Sequence, residues 1–243
     1  MTIRVTAATH TGLIRQKNDD FYGATELVAS EADGEVVSTQ ISGPGCLAIV
    51  ADGLGGHPCG EYASRIAIQS VLASEPTTAD ELVEAFHRAN RAVYVEMATQ
   101  VECLRMGATA SAALINEKGI AVVNVGDSSV FEMIDQRLVE LTTPDLAATA
   151  RQLPGLPESG LVQTLGGRSE TASISPHVYV DDFRAEPRRL LLSTDGLTGY
   201  VTSDLIAETL REKDGAAAVE QLLDLALQSG GRDNVTVALV ETV

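Results

Sequence analysis

Four aspartates stand where apolar runs of this chain begin or end. Asp52 closes the uncharged run LAIVA, and Asp195 follows the run LLLS through a single threonine. Asp20 opens a short apolar run, and Asp233 precedes the final one, VTVALV. Each aspartate alone is typical of a turn, since Asp-Gly pairs commonly close strands. Their repetition favours a shared role at one edge of a sheet structure.

Carboxylates gathered at such an edge would repel one another unless they were protonated or paired with cations. A divalent metal resolves this conflict, and an all-oxygen ligand set favours Mg²⁺ or Mn²⁺ over zinc, which prefers His and Cys. Two ions that share one carboxylate, about 3.5–4 Å apart, would activate water for in-line attack on phosphorus. Arg15 lies in the polar turn before Asp20 and would bind the phosphate, although that turn taken alone favours a solvated hairpin loop.

The stretch after Asp52 is rich in glycine and suits the close approach of a ligand. Its glycines are Gly53, Gly55, Gly56 and Gly60. The stretch lacks the Lys-Ser/Thr ending of a nucleotide-binding P-loop. The chain also has no Cys-x5-Arg loop and no GxSxG motif, which favours attack by water over attack by a side-chain nucleophile.

Composition restricts the partners further. The 243 residues are 44% hydrophobic, enough for one sizeable core, and 17 Lys+Arg against 34 Asp+Glu give a net charge of −17. Such a charge argues against nucleic acid and anionic membranes as partners. The three cysteines lack a CxxC spacing, so we expect neither a disulfide framework nor a zinc site, and a reducing cytoplasm fits best. We find no signal-peptide or membrane-spanning pattern.

The elements that must position the aspartates follow from periodicity. Alternation predicts a strand over residues 3–7, paired with a second over 21–27, and a hairpin loop over 28–45. Helical spacing follows residue 60, and a second helix begins at the capping box Thr78-Ala-Asp-Glu81. Short apolar runs over 107–141 predict an antiparallel meander with Asp127 in one of its turns. Further strands over 173–180 and 190–193, helices over 203–211 and 216–227, and a last strand complete one domain, 1–243.

Residues 142–172 are the least regular part of the chain. Pro144, Pro154 and Pro157 interrupt any helix, and the pair Gly166-Gly167 closes the segment. A long irregular segment in a compact domain is often a functional flap.

The chain resembles the metal-dependent protein Ser/Thr phosphatases of the protein phosphatase 2C (PPM) type in their bacterial form. The resemblance rests on six stretches in the family's order: TGLIRQKNDD, VADGLGGHPCGEYAS, GATASAALI, VVNVGDSSVF, LLLSTDGLTGYV and GGRDNVTVALV. It implies an α+β fold, an α-β-β-α four-layer sandwich of two antiparallel sheets flanked by helix pairs. It also implies a binuclear Mn²⁺ or Mg²⁺ centre, with a third and weaker metal site.

The resemblance assigns site residues by position. Asp52 matches the carboxylate that bridges both ions, Arg15 the phosphate-binding arginine, and His57 a residue for leaving-group protonation, substrate contact or local structure. The implied metal ligands are Asp19, Asp20, Asp52, the carbonyl of Gly53, Asp127, Asp195 and Asp233. Asp19 replaces the usual Glu and is one methylene shorter, Ser129 stands where Arg is frequent, and the flap keeps little of the family pattern.

The expected function is hydrolysis of phosphoserine and phosphothreonine in proteins by metal-activated water. The expected partners are phosphorylated proteins, among them a Ser/Thr kinase or its substrates, and the chain is expected to act as a cytoplasmic monomer. One alternative is a catalytically silent module that binds a phosphoprotein or a regulatory partner. Another keeps the chemistry but acts on a small phosphate ester.

Overall fold

The computed structural model describes residues 1–27, 29–54, 59–147, 160–168, 171–184 and 186–243. Its strands are β1 (Thr2–His10), β2 (Asp20–Ala24), β3 (Val37–Ser42), β4 (Gly45–Asp52), β5 (Gly107–Ala108), β6 (Ala110–Asn116), β7 (Gly119–Val125), β8 (Ser129–Ile134), β9 (Arg137–Glu140), β10 (Leu165–Gly166), β11 (His177–Asp182), β12 (Arg189–Ser193) and β13 (Val235–Thr242). Its helices are α1 (Gly60–Leu72), α2 (Ala79–Thr99), α3 (Asp195–Thr198), α4 (Ser203–Glu212) and α5 (Gly215–Gln228), with a 3-10 turn over Val101–Cys103.

Two antiparallel sheets pack face to face at the centre. In the described part of the chain, one sheet has the order β3-β1-β13-β12-β8-β9 and the other the order β11-β7-β6-β4-β2, while β5 pairs with β10. Side chains from both sheets, such as Val5, Leu192, Val50 and Val122, form the core between them. This burial of apolar area is the main favourable term that holds the sheets together.

Helices cover both outer faces. Helices α1 and α2 bury Ile68 and Phe86 against the five-stranded sheet, and α4 and α5 bury Leu210 and Leu222 against the six-stranded sheet. The α-β-β-α sandwich expected from the sequence is therefore confirmed. The start of α2 is also as predicted, because the Thr78 side chain caps the helix by accepting a hydrogen bond from the backbone N–H of Glu81.

Several pairings differ from the sequence predictions. Strand β2 does not pair with β1 but lies in the other sheet beside β4, and β1 pairs with β13 and β3. The predicted loop over 28–45 contains β3. The predicted meander is divided, because β6 and β7 belong to one sheet and β8 and β9 to the other. The chain therefore crosses between the sheets at residues 126–128, the turn that carries Asp127.

The cysteine prediction is wrong for two of the three residues. Cys59 and Cys103 form a disulfide with a Cα–Cα distance of 5.4 Å, while Cys46 is a free, buried thiol. The two bonded cysteines are 44 positions apart in the sequence, so no short-range motif signals the bond. In the described ranges we find no helix that is both long and apolar enough to cross a membrane.

Candidate metal centre

Asp20 and Asp52 face each other at the edge of the five-stranded sheet. Strand β2 begins at Asp20 and β4 ends at Asp52, and the two residues are direct partners in the antiparallel ladder. Asp20 is buried, and its Oδ2 atom accepts a hydrogen bond from Thr194 Oγ1 at 2.7 Å. Its Oδ1 atom is buried without a hydrogen-bond donor among the described residues. Two carboxylates are therefore forced together by strand pairing.

The surroundings of Asp20 and Asp52 disfavour the charged form of both carboxyl groups. Burial raises the pKa of Asp20 from an ordinary 3.8 to about 7, against the opposing hydrogen bond from Thr194. Burial also raises the pKa of Asp52 well above its usual value, although part of the residue reaches solvent. The charges that raise it further come from Asp20, Asp195, Asp127 and Asp233. Five predicted metal acids thus lie within electrostatic reach of one another.

Asp195 and Asp233 approach from the six-stranded sheet. Asp195 is the first residue of α3, separated from the end of β12 by Thr194 alone, and Asp233 lies two residues before β13. A side chain at Gly196 would collide with the backbone carbonyl of Asn234, so the Asp-Gly sequence at this helix start follows from close packing. Asp233 Oδ2 accepts a hydrogen bond from Arg15 Nη2 at 2.8 Å. This contact places the predicted phosphate-binding guanidinium beside a predicted metal acid.

Gly53 and Asp19 are joined through their backbones. The Gly53 N–H donates to the Asp19 carbonyl at 3.1 Å, and Ser64 of α1 donates its hydroxyl to the same carbonyl at 2.6 Å. A Cβ atom at Gly53 would overlap the Gly60 carbonyl, so only glycine fits there. Burial, followed by the charge of Glu61, raises the pKa of the Asp19 side chain.

Asp127 lies in the turn between β7 and β8, where the chain passes from one sheet to the other. Its negative charge is one of those that raise the pKa of Asp52. The crossing between sheets explains this proximity, because a simple hairpin would have kept Asp127 at the edge of a single sheet. His57 lies outside the described residues.

Sequence reasoning missed Asn234 and Thr109 as supporting residues. The Asn234 side chain accepts from the Asp19 N–H at 2.9 Å and donates to the carbonyls of Thr11 and Lys17, both at 2.8 Å. Thr109 accepts from the Asp52 N–H at 3.2 Å and donates its own N–H to the Asp52 carbonyl at 2.8 Å. Asn234 follows Asp233 directly, which was the one available signal, whereas nothing near Thr109 in the sequence points to Asp52.

The donor set fits hard divalent cations. The gathered side chains offer carboxylate oxygens, which suit Mg²⁺ and Mn²⁺, and the orphaned Oδ1 of Asp20 has a ligand's free lone pairs. Within the described ranges, no three His, Cys, Asp or Glu side chains form a ready-made ligand set. The bonds from Thr194 and Arg15 each occupy one carboxylate oxygen, Oδ2 of Asp20 and Oδ2 of Asp233.

Two cavities of the described residues lie away from the acids. One cavity of about 580 Å³ is lined by the ends of β1 and β13, and another of about 720 Å³ lies beside Cys46 and Leu72. None of the clustered aspartates lines either cavity. We therefore locate the candidate site by its charges and not by enclosed volume.

Residues 31–242 match the family model described as protein phosphatase 2C. Among curated proteins, the chain is 29% identical over 255 residues to the serine/threonine protein phosphatase PstP of Mycobacterium tuberculosis, covering 100% of this chain and 46% of that protein. The chain thus spans about half the length of this relative. It is 28% identical over 253 residues to the serine/threonine phosphatase stp of Listeria monocytogenes, covering 96% of this chain and 93% of that protein.

The fold also matches solved structures. One is the catalytic domain of the serine/threonine protein phosphatase PstP in complex with two manganese ions, with a TM-score of 0.79 and 26% identity, covering 100% of both chains.

Proposed function

This chain belongs to the protein phosphatase 2C family, and from that premise we propose that it hydrolyses phosphoserine and phosphothreonine in proteins at a binuclear Mn²⁺ or Mg²⁺ centre. The observation that carries the proposal is a cluster of five aspartates: the charges of four of them raise the pKa of the fifth, Asp52. Arg15 donates a hydrogen bond to one of the four, Asp233. The names of the relatives support the reaction, and the two manganese ions in the PstP structure support the cofactor.

The residues that would hold the ions are those predicted from the sequence. They are Asp19, Asp20, Asp52, the carbonyl of Gly53, Asp195 and Asp233, with Asp127 at a weaker third site. When bound, such ions activate water and polarise the phosphoryl oxygens. Ligands must be deprotonated, so the proton that the buried Asp20 retains in the metal-free protein would leave on binding.

Arg15 would bind the phosphate. Its planar guanidinium can donate two parallel N–H bonds to phosphoryl oxygens, and the side chain is one-third exposed, 34% by relative area. Its bond to Asp233 holds it at the acid cluster before substrate arrives. A preoriented donor of this kind contributes to catalysis because no further ordering is required when the phosphate binds.

The test is hydrolysis of p-nitrophenyl phosphate and of phosphoserine and phosphothreonine peptides by the whole chain. We expect turnover with Mn²⁺, none with excess chelator, and none in Asp52→Asn. Asp182→Asn is the matched control, because Asp182 is an exposed acid at the far end of β11, and it should retain wild-type activity. Intact Mn²⁺ binding without turnover of any substrate would favour the silent module over an enzyme.

Competition distinguishes the two kinds of substrate. Phosphopeptides that inhibit aryl phosphate turnover and are themselves hydrolysed support a protein phosphatase. Preference for small phosphate esters, with peptides neither binding nor reacting, would contradict it. We further propose phosphorylated proteins as partners, including a Ser/Thr kinase or its substrates. We also propose that the chain acts in the cytoplasm as a monomer. Gel filtration with light scattering would test the monomeric state.

A further inference from the structure

Asp145 clasps the turn that carries Asp127. Its side-chain Oδ2 atom accepts a hydrogen bond from the buried Gly126 N–H at 2.9 Å, and its own N–H donates to the Gly126 carbonyl at 2.9 Å. Gly126 has φ +96°, and a Cβ there would collide with Thr109, so the turn is sterically confined as well. Asp145 thus fixes the residue immediately before Asp127 through two reciprocal bonds.

The same carboxylate joins this turn to two other segments. Oδ2 also accepts from Gln163 Nε2 at 2.9 Å, and Oδ1 lies 2.9 Å from Nε2 of His177 on β11. Gln163 in turn bonds both the N–H and the carbonyl of Ser175. Asp145 is buried, with 8% of its area exposed, and its bond to the Gly126 N–H is shielded from competing water, whereas its bonds to Gln163 and His177 are partly buried.

The other side of the turn is tied to Asp52. The Ser128 hydroxyl is hydrogen-bonded to Thr109 Oγ1 at 2.7 Å, and the Ser128 carbonyl accepts from Ser111 Oγ at 2.5 Å. Thr109 is the residue that bonds the backbone of Asp52 on both its N–H and carbonyl sides. The turn is therefore held between Asp52 on one side and Asp145 on the other.

We propose that Asp145 is a positioning residue for the metal centre: by fixing Gly126 it keeps the Asp127 carboxylate beside Asp52, where it serves the weaker metal site. This inference rests on the proposed function. Asp145 itself touches neither substrate nor ion in this role. Its contribution passes through the Gly126 backbone, as expected of groups that orient metal ligands without binding the metal.

The geometry specifies which replacement should be tolerated. Both N–H donors, from Gly126 and Gln163, reach the same oxygen, Oδ2. In Asp145→Asn the amide oxygen can take that position, and the amide NH₂ can donate to Nε2 of His177. Asp145→Ala removes every side-chain bond. The role of Asp145 therefore predicts rescue by Asn and loss with Ala.

The experiment is Mn²⁺ titration of the whole, chelator-treated chain by isothermal titration calorimetry, with folding checked by circular dichroism. We expect the wild type to show one Mn²⁺ step of lower affinity than the others. The dissociation constant of that step should rise at least about tenfold in Asp145→Ala and less than about twofold in Asp145→Asn. In an Asp127→Asn background, Asp145→Ala should cause no further change in Mn²⁺ binding, because the two residues act through one carboxylate.

Glu132→Ala is the matched control, since it also removes a buried carboxylate that is bonded on both oxygens, here by Arg188. It should lower thermal stability without moving any Mn²⁺ step. Three results would each overturn the positioning role. One is unchanged Mn²⁺ affinity in folded Asp145→Ala, and another is an equal loss of Mn²⁺ affinity in the Asn and Ala variants. The third is a further loss of affinity when Asp145→Ala is added to Asp127→Asn. If Asp145→Ala does not fold, His177→Ala should weaken the same step about threefold, and no change would overturn the proposal.

The outcomes also separate this inference from the proposed function. A wild type that binds no Mn²⁺ overturns both. Two tight steps without a weaker third, or three steps that are indifferent to Asp145, overturn only the positioning role.

Discussion

Buried carboxylates occur at both ends of the β-sandwich, with different neighbours. At one end, Glu132 receives two hydrogen bonds from Arg188, at 2.7 and 2.9 Å, and Glu241 receives two from Arg4, at 2.9 and 2.8 Å. Burial tends to lower the pKa of Arg188, but its bonds to Glu132 outweigh burial and the net shift is upward. We call this region the arginine end.

At the opposite end of β12 and β13 lie the clustered aspartates, which we call the acid end. There Asp20 is buried beside Asp52, and the pKa of each is raised by burial and by other carboxylates. Arg15 bonds Asp233, but the group as a whole holds more negative charge than the nearby guanidinium balances. At the arginine end, the buried carboxylates of Glu132 and Glu241 are paired with arginines of the chain itself. The acid end instead has the excess of negative charge that is typical of a site for divalent cations.

Asp52→Asn should have the largest effect on activity. Removing the carboxylate shared by both expected ions should lower Mn²⁺-dependent hydrolysis at least about a thousandfold, about 4 kcal/mol in activation free energy. The same change should stabilise the chelator-treated protein, because it relieves repulsion among the acids. Steady-state kinetics and denaturant unfolding check the two halves, and a metal-free variant less stable than wild type would contradict the account.

Arg188→Ala should have the largest effect on stability. It leaves Glu132 buried without its partner, which costs about 3–5 kcal/mol for comparable pairs. Urea unfolding would measure this loss, while kcat per folded molecule should stay unchanged. A large fall in kcat with intact folding would mean that the two ends are not independent.

The pH dependence of the metal-free protein tests Asp20. Because its pKa is about 7 in the folded protein and 3.8 ordinarily, the folded state retains a proton that the unfolded chain has lost. The retained proton therefore contributes up to roughly 4 kcal/mol to the free energy of unfolding. This contribution is complete below about pH 4 and is lost as the pH rises to about 7. Asp20→Asn should remove this pH-dependent contribution. If the unfolding free energies of the wild type and Asp20→Asn changed in parallel with pH, the assignment of the contribution to Asp20 would be refuted.

The Cys59–Cys103 disulfide links the start of α1 to the 3-10 turn after α2. Breaking the Cys59–Cys103 bond, which spans 44 residues, should lower the free energy of unfolding by about 2–4 kcal/mol. Guanidinium unfolding with and without dithiothreitol would measure this, and Cys59→Ser/Cys103→Ser serves as the control, since reductant should not affect it. Equal stability in both conditions would show that the bond does not form.

Arg15→Lys should have the smallest effect of these changes. Lysine retains the charge but loses the two-pronged geometry, so KM for aryl phosphate should rise about tenfold. Lys17→Ala is the control, because the Lys17 side chain is 72% exposed. An unchanged KM in Arg15→Lys would remove Arg15 from phosphate binding.

Local patterns predicted the elements of this fold well, but not their partners. Uncharged apolar runs gave β4 and β12, and the capping residue Thr78 gave the start of α2. The predicted hairpin of β1 and β2 failed because period-two alternation says which face is buried but not which strand lies alongside. Strand β3 was missed because its exposed, polar residues resemble a loop.

The candidate site divides in the same way. Aspartates at strand ends could be found from spacing, since each stands beside an apolar run. Asn234, Thr109 and Asp145 could not, because their roles depend on hydrogen bonds to residues far away in the chain. The family resemblance implied Asp127 as a metal ligand, but the crossing between the two sheets, which brings it near Asp52, could not be read from the sequence.

The most direct test of the central claim is a crystal structure grown with Mn²⁺, with the ions located by anomalous scattering at the manganese edge. We predict two strong peaks at the acid end that share the Asp52 carboxylate, and none at the arginine end. Absence of manganese beside Asp52, or peaks only at scattered surface acids, would contradict the claim that divalent cations balance these carboxylates.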